Sequence, residues 1–397
     1  MNILKILFKN AFRHKLRTGI LKILFKNAFR HKLRTGLTIL SITIAILAFC
    51  LLRTVISAWY AGVEASSANR LVTRNAVSLI FSLPFSYREK IRQTEGVSTV
   101  SYGNWFGGIY IDEKNFFANF AVEPKTYLDL YPEFRLSEDQ KNAFLRDRRG
   151  FMAGQKLAAK YGWRLGDIVT LKGTIFPGNW EFVLRGIYKG KDDTTDESQF
   201  LFHWDYLNET LKRTAPGRAD QVGFYMIGVS SPTLSTQVAE RIDKSFKNSI
   251  AETLTETEKA FQMGFVSMSN AIITAIRLVS LVVIVIILAV VANTMAMTAR
   301  ERIGEYSIFK TLGFGGWRIG VLIFGESLVI TMIGCAFGVG FTFPVADAFG
   351  RAMGTYFPVF NVDNDTLGLA VLYSFAVGIL SAIIPTYRAI KIPIADG

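Results

Sequence analysis

LVSLVVIVIILAVVANTMAM fills Leu278–Met297 without one charged residue. At the rise of an α-helix, a run of that length makes a rod of about 30 Å, the thickness of a bilayer's hydrocarbon layer. Amides in that layer must bond within their own segment, so the run reads as a transmembrane helix. Three more runs share its character: LTILSITIAILAFCLLRTVISAWY at Leu37–Tyr60, IGVLIFGESLVITMIGCAFGVGFTF at Ile319–Phe343, and LGLAVLYSFAVGILSAIIPTY at Leu367–Tyr387. A basic stretch precedes the first, which leaves a signal peptide as an alternative. Its length, Arg53 near its far end and the lack of an A-x-A site favour an uncleaved anchor.

Charge orients the spans. Residues 1–36 hold ten Lys/Arg and no acid. The loop between the second and third spans carries Arg300, Arg302, Lys310 and Arg318, and the tail carries Arg388 and Lys391. The loop between the third and fourth has Asp347, Asp363 and Asp365 against Arg351. The positive-inside rule then puts both termini in the cytoplasm and residues 61–268 outside, in a bacterial inner membrane. That middle segment holds 26 basic and 25 acidic residues, a balance that argues against nucleic acid as a partner. Cys50 and Cys335 both fall in apolar runs, which excludes a disulfide framework, and the three His are too scattered for a metal site.

The expected fold is an α-helical membrane protein with four transmembrane helices and a large mixed α/β extracytoplasmic domain inserted between the first and second spans. The divisions are a basic amphipathic segment (1–36), spans at 37–60, 269–298, 319–343 and 367–387, the outer domain with its stalk (61–268), a cytoplasmic loop (299–318), an outer loop (344–366) and a tail (388–397). In the outer domain, strand-like runs include Ala76–Leu83, Gly107–Ile111, Asn119–Val122, Asp167–Leu171, Trp180–Gly190 and Gln221–Val229, with helical patterns at Tyr87–Glu95, Gly154–Gly162 and Thr233–Phe246. Thr255–Leu278 reads as a helix running straight into the second span, one half of a stalk.

One feature is peculiar. ILKILFKNAFRHKLRTG occurs at Ile3–Gly19 and again, unchanged, at Ile20–Gly36. A shift of 17 residues turns a helix by about 100° out of phase, so the copies do not build one continuous face. The second copy abuts the first span and is the natural interfacial lead-in. The first reads as a duplication without a separate function, or as a second basic anchor.

Chemistry is sparse. There is no G-x-x-x-x-G-K-[ST] phosphate loop and no G-x-S-x-G, and GFGGWRIG at Gly313–Gly320 lacks the Lys and the preceding strand. Neither ATP hydrolysis nor another catalysed reaction is expected of this chain. Charges within or beside apolar spans are expensive and invite a functional reading. Arg53 and Arg277 lie near span ends and can snorkel. Glu326 sits about two turns into the third span, where it must face a partner helix, a backbone donor or water, either as a functional group or as a satisfied structural one. Gly334 and Gly338 form a GxxxG pair suited to close helix packing.

NTMAMTARERIGEYSIFKTLGFGGWRIGVLIFGES, Asn293–Ser327, together with the four-span layout, resembles the FtsX/MacB-type permeases of bacterial ABC transporters. Their loop pattern E-R-x-x-E-I-G-x-x-[KR]-A-[LI]-G is met by Glu301, Arg302, Glu305, Lys310, Leu312 and Gly313, with Tyr306 and Ser307 in place of Ile-Gly and Thr311 in place of Ala. Glu326 fits the acidic residue that commonly follows in the third span. FKNAFRHKLRTGLTILSITIAI resembles the N-terminal lead-in, PTYRAIKIP the closing P-x-x-R-A-x-[KR] pattern with one residue fewer before Pro393, and GQKLAAKYGWRLGDIVTL the outer domain. The resemblance implies a mechanotransmission permease. Two permease chains, identical or not, would pair above two separate ATPase subunits that bind ATP and Mg, and no cofactor would sit in this chain. Arg300–Phe314 would be the coupling helix, with Arg300, Glu301, Arg302, Glu305, Lys310, Leu312 and Gly313 as its contacts. Membrane lipid and a periplasmic adaptor are further partners it implies. The expected work is export or extraction of a hydrophobic or amphiphilic substrate. The alternative is a regulator transmitting ATPase motion to an extracytoplasmic cell-wall hydrolase or sensor.

Overall fold

The structure is a computed structural model describing residues 29–354 and 357–391. The described chain runs α1 (Lys32–Ala65), β1 (Arg70–Asn75), β2 (Leu83–Pro84), α2 (Tyr87–Arg92), β3 (Val97–Trp105), β4 (Gly108–Ile109), β5 (Asn119–Val122), α3 (Pro124–Leu130), β6 (Phe134–Arg135) and α4 (Glu138–Arg146). Next come β7 (Gly150–Gly154), α5 (Gln155–Tyr161), β8 (Ile168–Gly173), β9 (Gly178–Gly190), β10 (Phe200–His203), α6 (Trp204–Thr214), β11 (Gln221–Val222) and β12 (Phe224–Val229). It ends with α7 (Ser235–Ser245), β13 (Thr253–Thr257), α8 (Glu258–Met268), α9 (Asn270–Glu301), α10 (Ile303–Thr311), α11 (Gly316–Met353) and α12 (Asn364–Lys391). The described residues of Met1–Ser57, Ala271–Phe349 and Asn361–Gly397 form a helical unit, and those of Ala58–Asn270 and Gly350–Phe360 form an α/β unit.

Four helices, α1, α9, α11 and α12, are long and apolar enough to cross a membrane. Their shared core in the helical unit joins Ile42, Ile46 and Phe49 of α1 to Ile287 and Val291 of α9, Ile323 and Ile330 of α11, and Val377 and Ala382 of α12. Other apolar side chains face outward, among them Ile44, Val285, Ile286, Phe337, Phe341, Leu372 and Phe375. Such faces suit a hydrocarbon solvent rather than water. Hydroxyls inside these helices bond back to the preceding turn, as Thr43 Oγ1 does to Ile39 O at 2.8 Å and Thr342 Oγ1 to Gly338 O at 2.8 Å. These two therefore bring no unpaired donor into the apolar layer, whereas the buried Ser374 and Thr386 hydroxyls of α12 have no hydrogen-bond partner among the described residues.

Helix bounds differ from the expected spans in instructive ways. The lead-in residues from Lys32 onward are one helix with the first apolar run, whereas the first copy of the repeat and residues 20–28 lie outside the described residues. Helix α11 continues through Pro344 to Met353, so residues 344–353, expected to be loop, are helical. Proline removes one donor from the ladder, a loss that a packed membrane helix tolerates.

In the α/β unit a mixed 11-stranded sheet runs β13-β1-β12-β3-β5-β10-β7-β9-β8-β4, with β6 paired to β9 off that path. Pairs β10/β5 and β7/β9 are parallel, whereas β1/β12, β12/β3 and β8/β9 are antiparallel. Side chains alternate between two cores. Leu71, Ala121, Phe151, Phe200, Phe202 and Tyr225 enter one, and Val72, Val122, Met152, Leu201 and Met226 the other. Both faces of the central strands are thus covered, which is why they read as unbroken apolar runs rather than alternations. Edge-side β8 alternates between exposed and buried residues.

Two expectations fail here. Ala76–Leu83 is not a strand: β1 ends at Asn75 and residues 76–82 form a loop. The Asn75 side chain accepts the Val77 amide at 3.0 Å and the Ser78 hydroxyl accepts the Ile80 amide at 3.3 Å, turns that end the ladder. Nor is Thr255–Leu278 one helix. Thr253, Thr255 and Thr257 alternate along β13, paired with β1, and α8 stops at Met268 before α9 begins at Asn270. The Thr257 side chain caps α8 by accepting the Ala260 amide at 3.1 Å.

His203, at the end of β10, is buried with Nε2 2.7 Å from the Phe144 carbonyl oxygen. The neutral ring donates there, and burial holds its pKa below the usual value of 6.5. The unfolded chain takes up this proton below about pH 6.5, while the folded chain waits for lower pH. The α/β unit should therefore lose stability as pH falls from about 6.5 toward the depressed folded value. Thermal unfolding of the whole protein between pH 8 and 5 checks this, and His203→Gln should flatten the slope.

Candidate functional site

Helix α9 ends at Glu301, and Arg302 leaves the helical conformation (φ −105°, ψ 14°) before α10 begins. The break lets the Arg302 side chain run to α11, where its Nη1 donates to Glu326 Oε2 at 2.9 Å. Both side chains are buried, 5% and 6% exposed. Glu326 thus finds a cation from the preceding loop. Tyr306 and Ser307 are buried on the same side of α10. Burial pushes the Tyr306 phenol up to about 12, so it stays neutral.

A second set of charges ties the same region to the N-terminal lead-in. Arg34 grips Glu301 with both terminal nitrogens, at 2.8 and 2.5 Å, His31 Nε2 lies 3.6 Å from the same carboxylate, and Arg30 pairs with Glu305. A spacing of four on each side lets two cations meet two anions. These pairs are partly exposed, so each adds well under about 1 kcal/mol, and their value is in position. Sequence reasoning missed Arg30 and Arg34 as partners, although their spacing matches that of Glu301 and Glu305. Lys310 Nζ donates to the Ile390 carbonyl at 2.7 Å, near the end of α12. Arg300 lines a small cavity of about 180 Å³ with Ala296, Ile303, Pro385 and Arg388.

The end of α10 and the turn after it expose apolar side chains. Ile308 and Phe314 are exposed, Leu312 is 69% exposed and Trp317, at the start of α11, is 81% exposed. Gly313 takes φ +83°, a left-handed turn that ends α10 with the Phe314 amide bonded to Phe309 O at 2.9 Å.

The remaining sequence candidates lie elsewhere. Gly334 and Gly338 face α1: a Cβ at Gly334 would stand 2.6 Å from Ile42 Cγ2, and one at Gly338 2.7 Å from Ile46 Cβ. Arg53 is half-buried on α1 and Arg277 is exposed on α9. Near Arg53, Asp363 caps α12 by accepting the Thr366 amide at 2.7 Å and also accepts the Ser57 hydroxyl at 2.7 Å. Burial alone would raise its pKa, but these bonds and the Arg53 charge outweigh it and hold the carboxyl below its usual value. Among the described residues no group of three or more His, Cys, Asp or Glu could hold a metal ion.

Comparison places this site in a known context. Residues 277–394, which contain every residue of the α10 cluster except Arg30, His31 and Arg34, match the family model of the FtsX-like permease C-terminal domain. No curated protein matches the sequence. Among solved structures, the chain is similar to the extracellular domain of the noncanonic ABC-type transporter YknZ from Gram-positive bacteria, at 14% identity and a TM-score of 0.35, covering 48% of this chain and 100% of that one. It is also similar to a domain of a Porphyromonas gingivalis protein described as a permease, at 13% identity and a TM-score of 0.34, covering 48% of this chain and 92% of that one. The FtsX-like match thus spans most of α9, the Arg302–Glu326 pair and α10 through α12.

Proposed function

We propose that this chain is the membrane subunit of an ABC transporter that works by mechanotransmission. A separate pair of ATPase subunits binds ATP and Mg and takes α10 as its docking element. Two permease chains pair, and closure of the ATPases shifts α10. The membrane helices carry that shift to the α/β unit, which lies outside the cell and acts on a hydrophobic or amphiphilic substrate for export or extraction. The observation that carries this reading is the two-sidedness of α10. Its start is tied by the Arg302–Glu326 and Arg30–Glu305 pairs with Tyr306 buried, while Ile308, and Leu312, Phe314 and Trp317 just beyond its end, are exposed. A helix fixed to the bundle and apolar on its free side can receive a groove and pass on its motion.

Expected contact roles divide accordingly. Glu301 and Glu305 brace α10 from within the chain, and the apolar residues meet the ATPase. Replacing both Ile308 and Leu312 by Asp should weaken ATPase binding about a hundredfold or more, as loss of central apolar anchors does. The exposed positions predict that folding is spared. Co-purification with the ATPase, alongside thermal unfolding of the permease, checks both. Undiminished binding would remove α10 as the docking element.

A further inference from the structure

The α/β unit holds a cavity of about 1550 Å³. Its floor is one face of the sheet, with Val72 of β1 and Phe224, Met226 and Gly228 of β12. The distance along β12 from Phe224 to Gly228 is about 14 Å, and the cavity continues past both strand ends. At one end Leu79, Ile80, Trp105 and Ile175 form its mouth. At the other it is walled by Ala58, Ala61, Gly62 and Ala65, the last turns of α1, and by Phe261 and Phe265 of α8.

The mouth is held open. Residues 76–82 are fixed by the Ala76 amide on Glu252 O at 2.9 Å and the Phe81 amide on Ser78 O at 3.3 Å, besides the two turn bonds already described. Ile80 is thereby kept 89% exposed, and Val77 and Phe81 are exposed beside it. Four exposed apolar side chains in five residues, Val77, Leu79, Ile80 and Phe81, presented to solvent by a bonded loop, mark a binding surface.

Charge chemistry narrows the ligand. The charges at the centre of the cavity are engaged within the chain, while Asp129, Arg135 and Lys191 also line it and can meet a polar headgroup. Arg70 pairs with Glu258 and Glu133, both at 2.7 Å, donates to Leu130 O at 2.9 Å and lies over the Tyr131 ring. Glu258 also accepts Tyr131 Oη at 3.0 Å and the Ser67 amide at 2.8 Å. Arg218 donates to Ile175 O, and Asp192 accepts Thr194 and Thr195. A docked protein would draw on a rim of directional polar bonds. Most of the length of this cavity is an apolar floor with two aromatic groups, Trp105 with Phe120 (4.9 Å) and Phe261 with Phe265 (5.1 Å).

We propose that this cavity binds the alkyl chain of an amphiphile, which enters past Leu79 and Ile80 and lies along β12 toward the small residues of α1. The proposal deepens the permease reading and rests on it for the cargo class, but the binding itself needs no ATPase. The whole chain in lipid nanodiscs, without ATPase or nucleotide, is exposed to a diazirine-bearing palmitate, irradiated and mapped by mass spectrometry. Labelled peptides are expected within residues 76–82 and 222–228, competed away by plain palmitate. Ile80→Ser and Phe265→Ser, both at exposed positions, together should cut that labelling about tenfold while labelling of the membrane helices stays unchanged. Labelling confined to the membrane helices, or insensitivity to both variants, overturns the proposal. A protein that occludes the cavity while palmitate does not enter overturns it in favour of a docking surface. ATPase stimulation, measured separately, reports on the permease reading alone.

Discussion

Replacing Glu326 by leucine is expected to destabilise the helical unit by about 3–5 kcal/mol, because it leaves Arg302 charged and buried without its carboxylate. The cost comes from the stranded partner more than from the lost attraction. Arg302→Met alone should be similarly harmful, since it strands Glu326. The double variant Arg302→Met/Glu326→Leu removes both charges and should recover most of the loss, to within about 1 kcal/mol of the starting protein or beyond it. Thermal unfolding of the four proteins in the same detergent gives the cycle. If the double variant stays as unstable as the singles, the pair is not the closed unit described here. The double variant also separates stability from transmission. With folding restored, weakened stimulation of the ATPase would assign the pair a positioning role in coupling, since this buried ion pair ties the start of α10 to α11.

How much of this was legible in the sequence follows from the range of each interaction. The four apolar helices were, because a membrane imposes its thickness on every span and composition carries that signal locally. The loop motif was too, since Glu301, Arg302, Glu305 and Lys310 lie within ten residues of one another. Glu326 could be flagged as expensive, but its partner could not be named, because Arg302 reaches it only through the break between α9 and α10. Arg30 and Arg34 come from the far end of the chain, and their meeting with Glu305 and Glu301 depends on how α1 packs. The failures in the α/β unit have a different origin. VSLIF has the composition of a strand, yet Asn75 and Ser78 turn the chain and leave those side chains in solvent. Thr255–Thr257 lies beside a helical pattern that extends over it, although the β-branched alternation from Thr253 to Thr257 fits an edge strand. The cavity was invisible, since its lining comes from many separate parts of the chain.

Gly338→Leu should be the most damaging single substitution on the α1–α11 contact, at about 3 kcal/mol or more, and Gly338→Ala should already cost about 1–3 kcal/mol. A Cβ at this position would stand 2.7 Å from Ile46 Cβ and 3.0 Å from the Thr43 carbonyl oxygen. Neither neighbour is the flexible end of a side chain, so the two helices must move apart, and Thr43 would lose its 3.3 Å bond to the Gly334 carbonyl one turn away. Trimming the neighbour tests the cause. Ile46→Ala removes Cγ2, 2.8 Å from the added carbon, but keeps the closer Cβ and the Thr43 backbone. It should therefore rescue Gly338→Ala only weakly. Gly340, on the same helix, has nothing within 4 Å of its added Cβ. Gly340→Ala should be neutral or slightly stabilising, by up to about 1 kcal/mol from helix propensity, and less in a bilayer, where separated helices remain helical. Unfolding of Gly338→Ala, Gly338→Ala/Ile46→Ala and Gly340→Ala side by side distinguishes close packing from a general intolerance of larger residues in α11. Equal effects at Gly338 and Gly340 would mean that the α1 contact does not set the distance between these helices.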